Sequence, residues 1–359
     1  MAHLDRAGAF KVGPQSAGAV PGPAAYGHGG TEPTVTDANI VLGRLDVHNF
    51  LGGAMPLDAG AAGRVIDELA TRLGMTAPEA AEGVVAVLNA NMANAIRART
   101  VQKGIDPRNY SLVAFGGAGP LHGVEVARLL GIPEVLIPPY PGINSAIGLL
   151  TTDLKYDIVR TAFLVSAALD LQRMNSELED MERVLTEQLR ADDVDVTQTL
   201  FERSADARYV GQGYELRLPL AVGKLATTES QAMLQRFHEL HEQEYGHHFE
   251  QSPVELVNLR VTAVAKVPRI GAPSPPTGGS LEKARIRSDS AVFRVGNALQ
   301  TFATTFYDRN RLPVGKPIPG PAIILQTDST TVVPPDCTAV VEASGAIAIR
   351  LGSAAPASN

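Results

Sequence analysis

Ser111-Leu-Val-Ala-Phe-Gly-Gly-Ala-Gly-Pro-Leu-His122 is the stretch on which the fold turns. Residues 111–115 are a short apolar run with strand character, 116–120 a tight glycine-rich turn, and 121–130 a helix that Gly131 stops. Residues 135–138 form a second apolar strand, and 143–150 a further helical turn. Strand, glycine turn, helix, strand is the pattern of an α/β sheet packed by helices. Two readings of the turn stay open. One is a plain packing turn. The other is a ligand turn, where the missing Cβ atoms let backbone approach a flat adenosine or a phosphate. The helix opening at Leu121 would add free N–H groups and a positive dipole end. The stretch is neither the Gly-x-Gly-x-x-Gly dinucleotide fingerprint nor a P-loop, because no Gly-Lys-Ser/Thr follows.

Working outward, the upstream chain is helical. Ala62, Val65, Ile66 and Leu69 repeat at helical spacing over 59–73, with Asp58 as N-cap. Thr76-Ala-Pro-Glu79 opens a second helix, a capping box with Pro in the first turn, expected to run to about Gln102 and close at Gly104. Residues 1–36 are rich in Gly, Pro, Ala and Thr and read as a long loop leading into a short helix over 37–45. Downstream, Leu171, Met174, Leu178, Met181, Leu185 and Leu189 step by three and four, giving a long amphipathic helix over 170–192. Strands are expected over 208–218 and 254–267, with a helix over 230–245 between them. Residues 290–351 read as short strands broken by Gly and Pro turns. The expected organisation is therefore an α/β domain at 1–152, an α+β domain at 153–267, a linker at 268–280 and a small β-rich module at 281–359.

Bulk properties narrow the function. A chain of 359 residues with 45% hydrophobic content is long enough for more than one domain. The net charge of −7, with its basic residues scattered, argues against a nucleic-acid binder. Cys337 is the only cysteine, which rules out an internal disulfide and suits a reducing cytosol, so the expected localisation is cytoplasmic. No apolar run reaches the ~20 residues needed to cross a bilayer, and the N-terminus does not read as a signal peptide.

The glycine turn resembles the adenosine motif of the large-subunit family of N-methylhydantoinase, 5-oxoprolinase and acetone/acetophenone carboxylases, within the actin/Hsp70/acetate-kinase (ribonuclease H-like) superfamily. Further stretches are similar to that family. Upstream lie Val12-Gly-Pro-Gln-Ser-Ala-Gly-Ala19, Pro21-Gly-Pro23, Gly29-Gly-Thr-Glu-Pro-Thr-Val-Thr-Asp-Ala-Asn39, Leu42-Gly-Arg44 and Phe50-Leu-Gly-Gly53. Downstream lie Pro141-Gly-Ile-Asn-Ser-Ala-Ile-Gly148, Gly211-Gln-Gly-Tyr-Glu215, Val257-Asn-Leu-Arg260 and Gly320-Pro-Ala-Ile-Ile324. Ala25 and His28 stand where the family usually has Cys and Arg. The Asp-Gly-Gly-Thr-type phosphate loops of the family's N-terminal half have no counterpart here. The resemblance therefore implies the C-terminal half only, as a truncated gene product, one piece of a split subunit or a fragment, and expected to be inactive alone.

By the same resemblance the chain is part of an ATP-dependent cyclic amidase that opens a hydantoin or lactam ring. ATP and Mg²⁺ are the implied cofactors, with their phosphate and metal ligands expected from the missing N-terminal half. The implied partners are that half, a hydantoinase B-type subunit and a small cyclic amide, with no nucleic acid and no membrane. Two alternatives remain: a piece of an acetone/acetophenone-carboxylase-like enzyme, or a non-catalytic remnant or assembly module. Gly116, Gly117, Ala118, Gly119 and His122 are the candidate nucleotide contacts. His122 is alternatively a satisfied core histidine. Thr34, Thr36 and Asp37 are candidates for the substrate or metal end, or else a plain helix cap. Arg44 either binds an acidic group or pairs with Asp46. Tyr245-Gly-His-His-Phe249 reads as a structural loop, because adjacent histidines on regular structure seldom face one ion. Cys337 has no histidine near it in sequence and does not read as a nucleophile.

Overall fold

In the computed structural model the glycine turn joins a two-residue strand, Leu112–Val113, to the helix Gly119–Leu130, which Gly131 ends in the left-handed conformation. The strand is shorter than the sequence suggests, and the helix starts two residues earlier, with Pro120 in its first turn. A proline there loses no hydrogen bond, since the first helical N–H groups have no partner in the helix. The structure describes residues 1–267 and 279–352. Most of the expected 268–280 linker lies outside them.

The chain forms two compact units, residues 1–147 with 271–359, and residues 148–270. In the first unit, Leu112–Val113 pairs in parallel with Glu134–Ile137. Glu134–Ile137 then pairs antiparallel with Ile347–Leu351, which continues through Cys337–Val341 to Pro317–Pro319. The β-rich C-terminal module is thus present, and its strands complete the sheet that the glycine turn begins. A four-stranded mixed sheet, ordered Ser329–Val333, Ala322–Gln326, Ala298–Asp308, Arg285–Val295, belongs to the same unit. The result is an α/β fold with mixed sheets. Val124, Val126, Ala127 and Leu130 of the central helix are buried with Val135, Ile137, Ile347 and Ile349 of the sheet. Three helices, Val35–Val41, Ala59–Leu73 and Ala77–Arg97, share another core built from Ala38, Leu42, Val65, Ile66, Leu69, Ala80, Ala81 and Val84.

Local signals account for the helix limits. Asp58 caps Ala59–Leu73 by accepting from the Ala61 N–H at 2.9 Å. The Thr76/Glu79 capping box opens Ala77–Arg97. That helix stops at Arg97 rather than near Gln102, and Val101–Lys103 is a separate 3₁₀ turn closed by left-handed Gly104. The sequence from 1 to 36 is not one long loop, since Ala2–Leu4 and Phe10–Val12 pair as a small hairpin.

The second unit is an antiparallel sheet ordered Leu154–Val165, Val254–Ala265, Thr199–Tyr209, Leu216–Leu220, with helices Leu171–Ala191 and Thr227–Tyr245. Met174, Leu178, Met181, Leu185 and Leu189 of the first helix meet Phe237 of the second and the inward residues of the strands in one core. The expected strand over 208–218 is in fact the end of one strand, a turn, and the start of the next. No helix among the described residues is long and apolar enough to cross a membrane.

Candidate functional site

At the glycine turn, Gly116 adopts φ +84°, a left-handed conformation that a side chain disfavours, and its N–H donates to the Pro141 carbonyl at 2.6 Å. That bond holds the chain in its reversal, so that Gly117, Ala118 and Gly119 line a cavity of about 480 Å³. This lies within the ~300–1,000 Å³ range of small-molecule sites. Ala118 is the N-cap and offers no side-chain acceptor; Pro120 has no N–H and the Leu121 N–H donates to the Ala118 carbonyl at 3.1 Å, so of the first three helical residues Gly119 alone keeps an N–H for another partner.

The remaining walls come from Tyr26 and from four other places. Val35–Val41 gives Val35, Thr36 and Asn39; the segment after it gives Leu45, Asn49, Phe50 and Leu51. Ala77–Arg97 gives Leu88 and Met92. The tight turn between Ala322–Gln326 and Ser329–Val333 gives Gln326 through Thr330. The Asp328 carboxylate accepts from the Gly142 N–H at 2.9 Å, which ties this turn to the loop after Glu134–Ile137.

His122 lines the cavity on the first turn of Gly119–Leu130 and is only 4% exposed. Burial, helped by the nearby Arg44 guanidinium, pushes its pKa down to about 4, so the ring is neutral at neutral pH. Its Nδ1 is buried without a hydrogen-bond partner. Asn39 Oδ1, Gln326 Oε1 and Ser329 Oγ are in the same condition, and all three residues also line the cavity. Four of the seven such atoms among the described residues therefore gather at one place. Each unsatisfied group costs roughly 1–3 kcal/mol, and native proteins keep few of them. The hollow itself is mainly apolar, with a few polar side chains among its lining residues, as in small-molecule sites.

The sequence candidates separate in space. Gly117, Ala118, Gly119, His122 and Thr36 come together on the cavity. Gly116 shapes the turn from behind. Thr34 and Asp37 form a closed cap: the Asp37 carboxylate, fully buried, accepts from the Thr34 N–H (3.0 Å), the Thr34 hydroxyl (2.7 Å) and the Ala25 N–H (2.9 Å), and Thr34 Oγ1 accepts from the Asp37 N–H (3.2 Å). Arg44 does not pair with Asp46. It meets Glu82 at 2.7 Å, bonds the Val292 carbonyl and lies 5.1 Å from the Phe293 ring centre, while Asp46 pairs with Arg287 at 2.6 Å. Sequence reasoning assigned no role to Asn39, Gln326, Asp328 or Ser329. Asn39 stood inside a quoted motif, but nothing in the spelling of 326–329 announces a turn brought against a glycine loop some two hundred residues earlier.

A metal is a separate question. Among the described residues no three His, Cys, Asp or Glu side chains converge to hold one. In the second unit the 245–249 histidines serve the loop itself: the His247 carbonyl accepts from His241 Nδ1 at 2.6 Å, and His248 pairs with Glu242 at 2.7 Å. Cys337 is buried, and its thiol is pushed up to about 12 by burial and by Asp336.

Comparison with known families assigns residues 1–158 to the hydantoinase/oxoprolinase family and residues 162–347 to the hydantoinase/oxoprolinase C-terminal domain. The expectation of a C-terminal half alone is thereby corrected, because both the main and the C-terminal family regions are matched. An uncharacterized protein of Methanocaldococcus jannaschii is 36% identical over 98% of this chain and 49% of its own length. The caprolactamase subunit alpha of Pseudomonas jessenii is 35% identical over 93% of this chain and 49% of its own. The chain spans about half the length of these curated relatives. Among solved structures, acetone carboxylase in its nucleotide-free state superposes with a TM-score of 0.83 at 23% identity, a likeness of fold. The ATP-dependent caprolactamase of Pseudomonas jessenii superposes with a TM-score of 0.76 at 32% identity. Each match covers 98% of this chain and 51% of the other.

Proposed function

Because the chain belongs to the hydantoinase/oxoprolinase family, we propose that its cavity holds the nucleoside part of ATP in an enzyme that opens a cyclic amide. The observation that carries this reading is the meeting of the 117–119 turn, an uncapped helix N-terminus and the neutral, unpartnered His122 on one hollow. Apolar Leu88, Met92 and Phe50 suit the faces of a base, and polar lining side chains such as Thr36 and Asn49 suit its edge.

When bound, ATP supplies the phosphoryl group that makes a resonance-stabilised amide open to attack by water. Such chemistry needs positioning and charge stabilisation more than covalent help. The residues of this chain would position: the glycine turn leaves room beside the backbone, the Phe50 and Met92 surfaces exclude water, and neutral His122 can donate or accept one hydrogen bond. Ligands for the phosphates and Mg²⁺ would come from residues other than those described, and the second subunit would be of the hydantoinase B type.

Titration of the chain with ADP and adenosine by calorimetry tests the site. Ring opening of hydantoin, 5-oxoproline and caprolactam, assayed with ATP and the B-type subunit, tests the reaction. Ketone plus bicarbonate in the same assay separates amide opening from carboxylation. A chain that binds neither adenosine nor ADP would end the reading.

A further inference from the structure

Residues 138–142, the loop that follows Glu134–Ile137, are not among the residues that line the cavity, yet two of its walls are tied to them. On one side the Pro141 carbonyl accepts from the Gly116 N–H at 2.6 Å, at the head of the glycine turn. On the other, the Asp328 carboxylate accepts from the Gly142 N–H at 2.9 Å, and Gln326 Nε2 donates to the Pro139 carbonyl at 2.9 Å. The root of the loop is fixed by buried Arg309, which donates to the carbonyls of Pro138 (2.8 Å), Ile137 (3.3 Å) and Gly345 (3.1 Å). This short loop thus joins the glycine turn, the 326–328 turn and the edge of the sheet in one chain of hydrogen bonds.

The fit at Gly142 is close. A Cβ there would lie 2.5 Å from Asp328 Oδ2, 2.6 Å from Asp328 Cβ and 2.7 Å from the Asp328 carbonyl oxygen. Rotating the Asp328 side chain would relieve only the first of these, so the 326–328 turn itself would have to move. The φ of Gly142 lies outside the left-handed region, so the approach of Asp328, and not the backbone conformation, is what a side chain would violate. The two walls also stand near each other directly, since a Cβ at Gly117 would lie 3.6 Å from the Asp328 carbonyl oxygen. We infer that residues 138–142 are a strut that sets the spacing of the glycine turn and the 326–328 turn, and that Gly142 and Asp328 are positioning residues for the ligand between them. This rests on the nucleoside reading above, which supplies the probe.

The test is calorimetric titration of the full chain with ADP, for the parent, Gly142→Ala, Asp328→Ala, Asp328→Asn and the double variant Gly142→Ala/Asp328→Ala, each confirmed as folded by circular dichroism at the titration temperature. Gly142→Ala adds one methyl outside the cavity and should weaken ADP binding roughly tenfold, because a site works only while its parts are held to within about 0.5 Å. Asp328→Ala cuts the same link and should also weaken binding. Asp328→Asn keeps an oxygen for the Gly142 N–H and should bind nearly as the parent does. The double variant should bind about as weakly as the worse single one, since both changes open one link. A Gly142→Ala variant that binds ADP as the parent does overturns the strut and leaves the nucleoside reading standing. If Asp328→Asn falls as far as Asp328→Ala, or the losses of the double variant add, Asp328 acts on the ligand itself and the positioning role falls. Should Gly142→Ala fail to fold, Asp328→Ala against Asp328→Asn decides alone. A parent that binds no ADP overturns both readings.

Discussion

Replacing Asp37 with alanine should unsettle the first unit, because this carboxylate is the acceptor on which two stretches of chain converge. It takes the Ala25 N–H at 2.9 Å and the Thr34 N–H at 3.0 Å in a fully buried setting, in addition to the Thr34 hydroxyl. The hydroxyl can turn elsewhere. These two close backbone donors cannot (a third, the Ala24 N–H, lies at a longer 3.4 Å), and each left unsatisfied costs about 1–3 kcal/mol. Mid-range values for the pair give a loss of about 4 kcal/mol. For a unit of this size, at about 2–4 °C per kcal/mol, the melting temperature should fall by roughly 8–16 °C. Asp37→Asn keeps one acceptor and turns the other into a donor, so it should lose about half as much. The assay is thermal unfolding followed by tyrosine fluorescence and circular dichroism, with ADP titration alongside. If Asp37→Ala melts within about 1 °C of the parent while nucleotide or substrate binding collapses, the capping argument is wrong and Asp37 acts on a ligand.

Three further outcomes follow from particular contacts. A Cβ at Gly123 would lie 2.8 Å from the Ala114 Cβ and 3.3 Å from Val135 Cγ1, so Gly123→Ala should push the helix off its sheet and cost about 1–3 kcal/mol; an unchanged urea midpoint would count against this packing. Buried His122 titrates at about 4 when folded and near 6.5 when unfolded. The unfolded chain therefore binds the extra proton first, and up to about 3 kcal/mol of stability, full above pH 6.5, is lost as the pH falls toward 4. His122→Gln should flatten that part of the urea-stability profile, and a variant with the parent's slope would refute the assignment. The Cys337 thiol, held near 12 and buried, should resist iodoacetamide at pH 8 in the folded chain and react once denatured; equal labelling rates would contradict its placement.

Local rules carried much of the fold. Asp58, the Thr76/Glu79 box and Gly131 fixed helix limits because caps act within one turn, and the 171–189 stripe found its core because a helix repeats its face every three to four residues. Where local rules compete, the reading slipped. Residues 208–218 are apolar enough for one strand, yet Gly211 at φ +93° reverses the chain there, because a left-handed glycine breaks a strand that hydropathy alone would continue. Arg44 and Asp46 are neighbours in sequence, but each is buried against a partner supplied by tertiary structure, Glu82 and Arg287.

The candidate site divides along the same line. Its glycine wall is local, a turn between a strand and a helix, and it was legible as a motif. Its facing wall is not. Gln326 reaches the cavity because Ala322–Gln326 runs parallel to Ala298–Asp308, turns back at Thr327-Asp328, and is tied by Asp328 to Gly142. Sequence gives the identity of such residues without their register, and register decides whether an amide oxygen faces a donor or none. A glycine motif by itself states that backbone comes close to something. Asn39 and the 326–330 turn supply the facing wall, and only the assembled sheet brings that wall and the glycine turn to one cavity.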